Sequence, residues 1–271
     1  MITSINNNQI KNIIALNKKA RERKAQRLFV VEGIRAVAEV PGHLLSQVFY
    51  VEGFDSNEEG KQYLEDLKAK ASDAFIEAVS ANVFKSMCDT VTPQGILAVV
   101  KMQDFSLEDV LGKGGDRPAH IIILESLQDP GNMGTIIRTA EGAGATGIIM
   151  NNTTVDLYSP KVVRSTMGSI FRVPHLIVQD LAATVKNLED EHGVSVYAAH
   201  LKGYRFYDEM DFTTPTAFMI GNEGNGLTDE ISELATSYLK IPMEGQLESL
   251  NASVAASVLM YETSRQRRTK G

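Results

Sequence analysis

Hydrophobic positions along the chain alternate between helix-like and strand-like spacing, and they do so in two blocks. Residues 9–26 read as a basic helix whose apolar side is Ile10, Ile13, Ile14 and Leu16. A strand at 27–32 (RLFVVE) follows, and Gly33 opens a helix over 34–40. The pattern then predicts a strand at 47–51 and a charged amphipathic helix at 57–71 with Tyr63, Leu64 and Leu67 inward. A strand at 74–79, a short helix at 81–88 and a strand at 96–102 complete a small α/β layer structure.

Residues 104–118 (DFSLEDVLGKGGDRP) break the alternation with glycines and a proline, allowing one short helix at 107–111. We take this stretch as a linker between a domain at 1–103 and a second at 119–271. The second begins with HIIIL at 120–124, a wholly apolar run of the kind found in central parallel strands. Helices are expected at 131–143, 159–171, 181–192 and 228–235, and strands at 147–150, 175–178, 195–200, 217–221 and 238–241. This is a parallel sheet with helices on both faces. The last helix, from Asn251, has no ionisable residue over 249–260 and needs a core or a second subunit to cover it. Its start is polar, with Glu248, Ser249 and Asn251 where the first backbone N–H groups lack partners.

Composition changes this picture little. The chain has 271 residues, 43% hydrophobic and 23% charged, enough for two domains with their own cores. No apolar run reaches membrane-spanning length and the N-terminus lacks a signal-peptide core, so a cytoplasmic setting is expected. One cysteine, Cys88, excludes an internal disulfide, and the five histidines show no zinc-binding spacing, so no metal is expected.

Charge changes it more. The total is −7, yet residues 1–35 carry Lys11, Lys18, Lys19, Arg21, Arg23, Lys24, Arg27 and Arg35 against only Glu22 and Glu32. The tail adds Arg265, Arg267, Arg268 and Lys270. Basic ends on an acidic body suit a polyanionic partner as well as they suit solvated helix faces.

Candidate chemistry lies in four places. Gly142, Gly144 and Gly147 have dinucleotide-loop spacing but follow a helix and precede a strand. That order suits a helix end and tight turn, and it argues against a nicotinamide enzyme. Residues 129–140 (DPGNMGTIIRTA) place Asn132, a good N-cap, and Arg138 on one side of a helix beyond a strand's carboxyl end. That arrangement suits a phosphate or carboxylate, although a cap and a surface ion pair would use the same residues. Residues 218–227 (FMIGNEGNGL) run an apolar strand into Gly221, Asn222, Glu223, Gly224 and Gly226. The fourth place is the polar start of the last helix.

Taken together and in this order, these segments resemble the SpoU (TrmH) family of RNA ribose 2′-O-methyltransferases. Asn132-x-Gly134-x-x-x-Arg138-Thr139 resembles the family's first motif, Ile220-Gly-Asn-Glu-Gly-x-Gly226 the second, and Ile241-Pro-Met243 with Ser249-Leu-Asn-x-Ser253 the third. The resemblance covers 119–264. Residues 1–103 look like the L30e-like substrate-binding domain attached to many members.

The resemblance implies a trefoil-knotted α/β domain, S-adenosylmethionine as cofactor and a homodimer formed through the knot domain. It implies that Arg138 activates the ribose hydroxyl, that Asn132 positions ribose or phosphate, and that Glu223, Ser249 and Asn251 shape the catalytic pocket. Backbone groups at Gly221, Ile241 and Leu250 would hold the cofactor, with Asn222 and Met243 beside them. Lys18, Arg21, Lys24 and Arg27 would grip RNA phosphates. The implied substrate is rRNA of the 23S type. A tRNA substrate, or a non-catalytic RNA-binding role in ribosome assembly, are the alternatives.

Overall fold

The computed structural model describes residues 1–200, 203 and 205–269, so Lys270 of the basic tail lies outside the described residues. The chain begins with α1 (Asn8–Lys18), α2 (Ala20–Gln26), β1 (Leu28–Glu32), α3 (Ile34–Glu39) and β2 (Leu45–Val51). It continues with α4 (Glu58–Lys70), β3 (Phe75–Val79), α5 (Ala81–Met87), β4 (Ile96–Lys101) and α6 (Leu107–Leu111). Next come β5 (His120–Leu124), α7 (Pro130–Ala143), β6 (Gly147–Asn151), α8 (Pro160–Thr166), β7 (His175–Val178) and α9 (Leu181–Asp190). The last elements are β8 (Ser195–Ala199), β9 (Arg205–Phe206), β10 (Thr216–Ile220), α10 (Asp229–Ser232), β11 (Ser237–Lys240) and α11 (Ala252–Thr269). No helix among the described residues is long and apolar enough to cross a membrane.

The chain divides into two compact units. The first comprises Met1–Asp104 together with Asp156–Phe171, and the second Phe105–Val155 with Arg172–Gly271. The compact unit therefore differs from the expected continuous domain over 119–271 in two ways: it lacks 156–171, and it takes in 105–118 of the expected linker.

In the first unit, four strands form a mixed sheet in the order β1-β4-β2-β3. Ile10, Ile13 and Leu16 of α1 are fully buried against Val30, Phe49, Val83 and Leu97. The helix expected over 9–26 is broken at Lys19, whose backbone is extended. Arg23 supplies the reason. Its guanidinium is buried and donates to the carbonyls of Leu16 and Asn17, which the ending helix leaves without N–H partners. The same guanidinium pairs with Asp156. Beyond Asp156, the rings of Tyr158 and Phe171 lie 4.8 and 6.2 Å from that of Phe29. These contacts hold the excursion in the first unit. Its expected helix over 159–171 stops early, at Met167 with φ 51°, and a 3-10 turn at Ser169–Phe171 follows.

In the second unit seven strands lie in the order β7-β6-β5-β10-β8-β11-β9, and every neighbouring pair is parallel. All residues of β5 and β10 at the centre are buried. Ile121, Ile123, Ala217 and Met219 face a core that includes Val110 of α6, Val185 and Leu188 of α9 and Ile231 of α10. Alternate residues, Ile122 and Phe218 among them, point the other way, where α11 packs against β5, β10 and α7. The far end of α11 is tied to the strand starts by Arg267. Its guanidinium donates to the carbonyls of Pro118, Ala119, Phe212 and Thr214 at 2.7–3.0 Å. Burial, with Arg117 nearby, lowers its pKa to about 10. The helix expected over 228–235 is only the single turn α10. Gly144 ends α7 in the left-handed conformation, as the turn reading of the glycines requires.

Candidate active site

The carboxyl ends of β5, β8, β10 and β11 and the start of α11 converge in the second unit, as crevices in parallel sheets do. Here a cavity of about 320 Å³ is lined by residues 220–227, by Ala199 and His200, and by Leu239, Lys240, Ile241 and Met243. Glu248, Ser249, Leu250, Ala252 and Ala255 complete its wall. A volume of this order is that of a small-molecule site.

One wall is the loop after β10. Asn222 and Gly226 exchange two backbone hydrogen bonds, N–H to O at 3.0 and 2.9 Å, closing it as a tight hairpin. Gly221 admits no side chain, since a Cβ there would lie 2.1 Å from the carbonyl carbon of Gly226 and 2.2 Å from the nitrogen of Leu227. The Asn222 side chain works in both directions. Its Oδ1 accepts from the N–H groups of Gly224 and Asn225, and its Nδ2 donates to the Ser126 carbonyl.

Glu223 crosses from this loop to the turn after β5. Its carboxylate accepts from the N–H groups of Gln128 (3.0 Å) and Asp129 (2.8 Å) and from Nδ2 of Asn132 (3.0 Å). Burial alone would raise its pKa, but the bonds from Asn132, Gln128 and Asp129 outweigh it and the net shift is downward. Glu223 is thus an anion held in place, and proton abstraction does not suit it.

Asn132 does not cap α7 as expected. The cap is Asp129, whose side chain accepts from the Asn132 N–H at 2.8 Å, with Pro130 as the first helical residue. Asn132 is buried and freed from capping, so its amide reaches Glu223. Asn251 is the cap of the last helix, accepting from the N–H groups of Ser253 and Val254 and from the Ser253 hydroxyl.

Of the residues singled out in the sequence, Gly221, Asn222, Glu223, Ile241, Met243, Ser249 and Leu250 line the cavity together. Asn132 joins through Glu223, and Asn251 stands next to the lining residues as a cap. Arg138 does not line it. Two turns into α7, it is exposed, with no hydrogen bond or ion pair among the described residues. Nearby on α7, Thr139 is bonded to Ser257 of α11, the helix that packs along it. In the first unit Lys18, Arg21 and Lys24 are exposed with no ion pair among the described residues, whereas Arg27 pairs with Asp104.

The structure adds His200 to the lining, stacked on Tyr238 at 5.2 Å between ring centroids. No sequence motif marks it; it arrives only because β8 lies between β10 and β11. No group of three or more potential metal ligands occurs among the described residues. The lining combines apolar side chains, backbone polar groups and the carboxylates of Glu223 and Glu248. That set fits a nucleoside carrying a cationic sulfonium better than it fits a polyphosphate.

A parallel sheet with a nucleoside-sized cavity among its carboxyl-end loops, edged by the Asn132–Glu223 clamp, is the arrangement of a nucleoside-binding α/β enzyme. The chain belongs to the SpoU rRNA Methylase family, whose model matches residues 119–261, and the MRM3-like substrate binding domain model matches residues 7–98. A putative TrmH family tRNA/rRNA methyltransferase of Staphylococcus haemolyticus is 33% identical over 89% of this chain and 97% of its own. The 23S rRNA guanosine 2′-O-methyltransferase RlmP of Bacillus subtilis is 35% identical over 68% of this chain and 70% of its own. Among solved structures, the SpoU methyltransferase AviRb of Streptomyces viridochromogenes in complex with AdoMet is similar, with a TM-score of 0.83 and 26% identity. That match covers 98% of this chain and all of the other. The AdoMet-bound rRNA methyltransferase of Sinorhizobium meliloti has a TM-score of 0.80 at 28% identity, covering 97% of each chain.

Proposed function

We propose that this protein transfers a methyl group from S-adenosylmethionine to a ribose 2′-oxygen of RNA, with 23S-type rRNA as substrate. The observation that carries the reading is the clamp of Asn132 and Glu223 at the edge of the cavity, with Arg138 farther along the same helix, exposed and without an ion pair among the described residues. The cofactor, when bound, supplies a methyl already activated on a sulfonium.

The residues of the chain would then have to align a poor nucleophile with that methyl and let the hydroxyl proton pass to water or an RNA phosphate. Arg138 stabilises the negative charge that develops on the hydroxyl oxygen; a guanidinium stays protonated and so has no free site to accept the proton. Asn132 orients the ribose or an adjoining phosphate while holding Glu223. Ser249 and Asn251 shape the RNA side of the pocket. The backbone at Gly221, Ile241 and Leu250, with Asn222 and Met243, holds the nucleoside of the cofactor.

Residues 1–103 act as the RNA-binding module and 119–271 as the catalytic domain. The exposed cations Lys18, Arg21 and Lys24 contact phosphates, and Arg27 does so on releasing Asp104. Val254 (47% exposed) and Tyr261 (51%) leave apolar surface on α11, which supports a homodimer joined through the catalytic domain. The convergence of residues from 221–227 and 241–250 on one cavity, with β8 between β10 and β11, supports a trefoil-knotted path. A ribosomal RNA substrate agrees with the cytoplasmic setting expected from the sequence.

The test is methyl transfer from labelled S-adenosylmethionine to total rRNA and, separately, to tRNA, with Arg138→Ala alongside. Label in rRNA that disappears in the variant is the expected result. Label in tRNA alone would replace the substrate. No label together with no cofactor binding would put the non-catalytic assembly role first.

A further inference from the structure

Glu125, the residue after β5, is buried at 7% exposure and lies outside the cavity lining. Its backbone N–H donates to the Ile220 carbonyl at 3.0 Å, so it stands where β5 and β10 end side by side. Its side chain turns to Thr228, at the far end of the loop that begins with Gly221. Oε2 accepts from the Thr228 N–H at 2.8 Å, and Oε1 is 2.7 Å from the Thr228 hydroxyl.

The Thr228 hydroxyl donates in that second bond, while its oxygen accepts the Ile231 N–H at 3.3 Å as the cap of α10. Both carboxylate oxygens therefore act as acceptors, and Glu125 has no ion-pair partner among the described residues. An anion kept from water on these terms holds its donors firmly, because releasing them would leave it unsatisfied.

We infer that Glu125 is a positioning residue for the cofactor cavity, acting through Thr228 on the curvature of residues 221–227. The loop is anchored by Gly221 packing on Gly226 and Leu227 at one end and by Glu125 at the other. Ile220 through Leu227 form one continuous wall of the cavity. A shift at Thr228 therefore passes into that wall.

The inference rests on the reading that the cavity takes S-adenosylmethionine. Glu125→Gln keeps the size but presents an amide N–H₂ to one of the Thr228 donors. Calorimetry with S-adenosylmethionine and with neutral S-adenosylhomocysteine should show Kd raised about five- to tenfold for both, the loss of one charge-assisted bond. KM for the cofactor should rise in parallel, with kcat at saturation within about twofold of wild type. Thr228→Ser should bind like wild type, Thr228→Val should fall between, and Thr228→Val in the Glu125→Gln background should add little.

Unchanged Kd with a reduced binding stoichiometry in Glu125→Gln and in Thr228→Val would make the clamp merely structural and overturn the inference. A Kd raised only for the sulfonium compound would overturn it as well, by assigning Glu125 a direct charge effect. Wild-type protein that binds neither compound would instead strike down the cofactor reading, and that control tells the two failures apart.

Discussion

Asn132 and Glu223 stand 91 residues apart in the chain and share a 3.0 Å hydrogen bond. The bond joins the turn after β5 to the loop after β10, and Glu223 adds two backbone bonds to the same turn. Its net pKa is lowered below the ordinary 4.5, so the folded state binds its proton less readily than the unfolded chain does. The stabilisation is therefore complete above 4.5 and is lost as pH falls through the lower folded value. The melting-temperature gap between wild type and Glu223→Gln should be constant near neutrality and shrink below pH 4.5. A gap that widens on acidification would refute the clamp.

Arg138 has no structural partner to lose among the described residues, which separates chemistry from folding. Arg138→Ala should reduce methyl transfer by a factor on the order of 10²–10³, the usual cost of removing a charge-stabilising donor. The cofactor Kd and the melting temperature should stay at wild-type values. Loss of cofactor binding in this variant would give Arg138 a binding role instead.

Gly221→Ala is expected to be the most damaging single-methyl change in the second unit. The new Cβ would meet backbone atoms at 2.1 and 2.2 Å, and backbone cannot rotate aside as a side chain can. The loop would open and cofactor binding would vanish in calorimetry, while much of the helical circular dichroism remained. Retained affinity would mean that the loop relaxes without disturbing the cavity.

Arg23→Ala tests the first unit. It strands Asp156 and the carbonyls of Leu16 and Asn17, and breaking a buried pair from one side costs about 3–5 kcal/mol. Denaturant unfolding should register a loss of that order, and a change below about 1 kcal/mol would place the pair with surface ion pairs.

The basic helices make a prediction about salt. Removing Lys18, Arg21 and Lys24 together should flatten the dependence of log K on log salt by about 2, at roughly 0.7 per phosphate contact on single strands. An unchanged slope, measured by RNA binding from low to moderate salt, would return these cations to the solvent.

Much of the second unit was legible because apolar runs such as HIIIL admit few placements: β5 is buried along its whole length, as a central strand must be. Gly144 was legible as a helix end because its neighbours are a helix and a strand in that order. Asn132 was misread as a cap because Asp129, three residues earlier, competes for the same role, and Pro130 starts the helix after Asp129. The break at Lys19 has no local signal, since it follows from an arginine whose partner lies 133 residues away. His200 and Glu125 escaped for a related reason. One is brought in by strand order and the other acts through Thr228, neither of which a linear motif encodes.

The excursion of Asp156–Phe171 into the first unit limits how this protein can be divided or recombined. A fragment ending at Asp104 would carry Arg23 without its counter-charge and Phe29 without the rings of Tyr158 and Phe171. The first unit is therefore not a detachable cassette. Exchanging it between relatives requires grafting two stretches of chain at once, and sequence change in either stretch is constrained by the other.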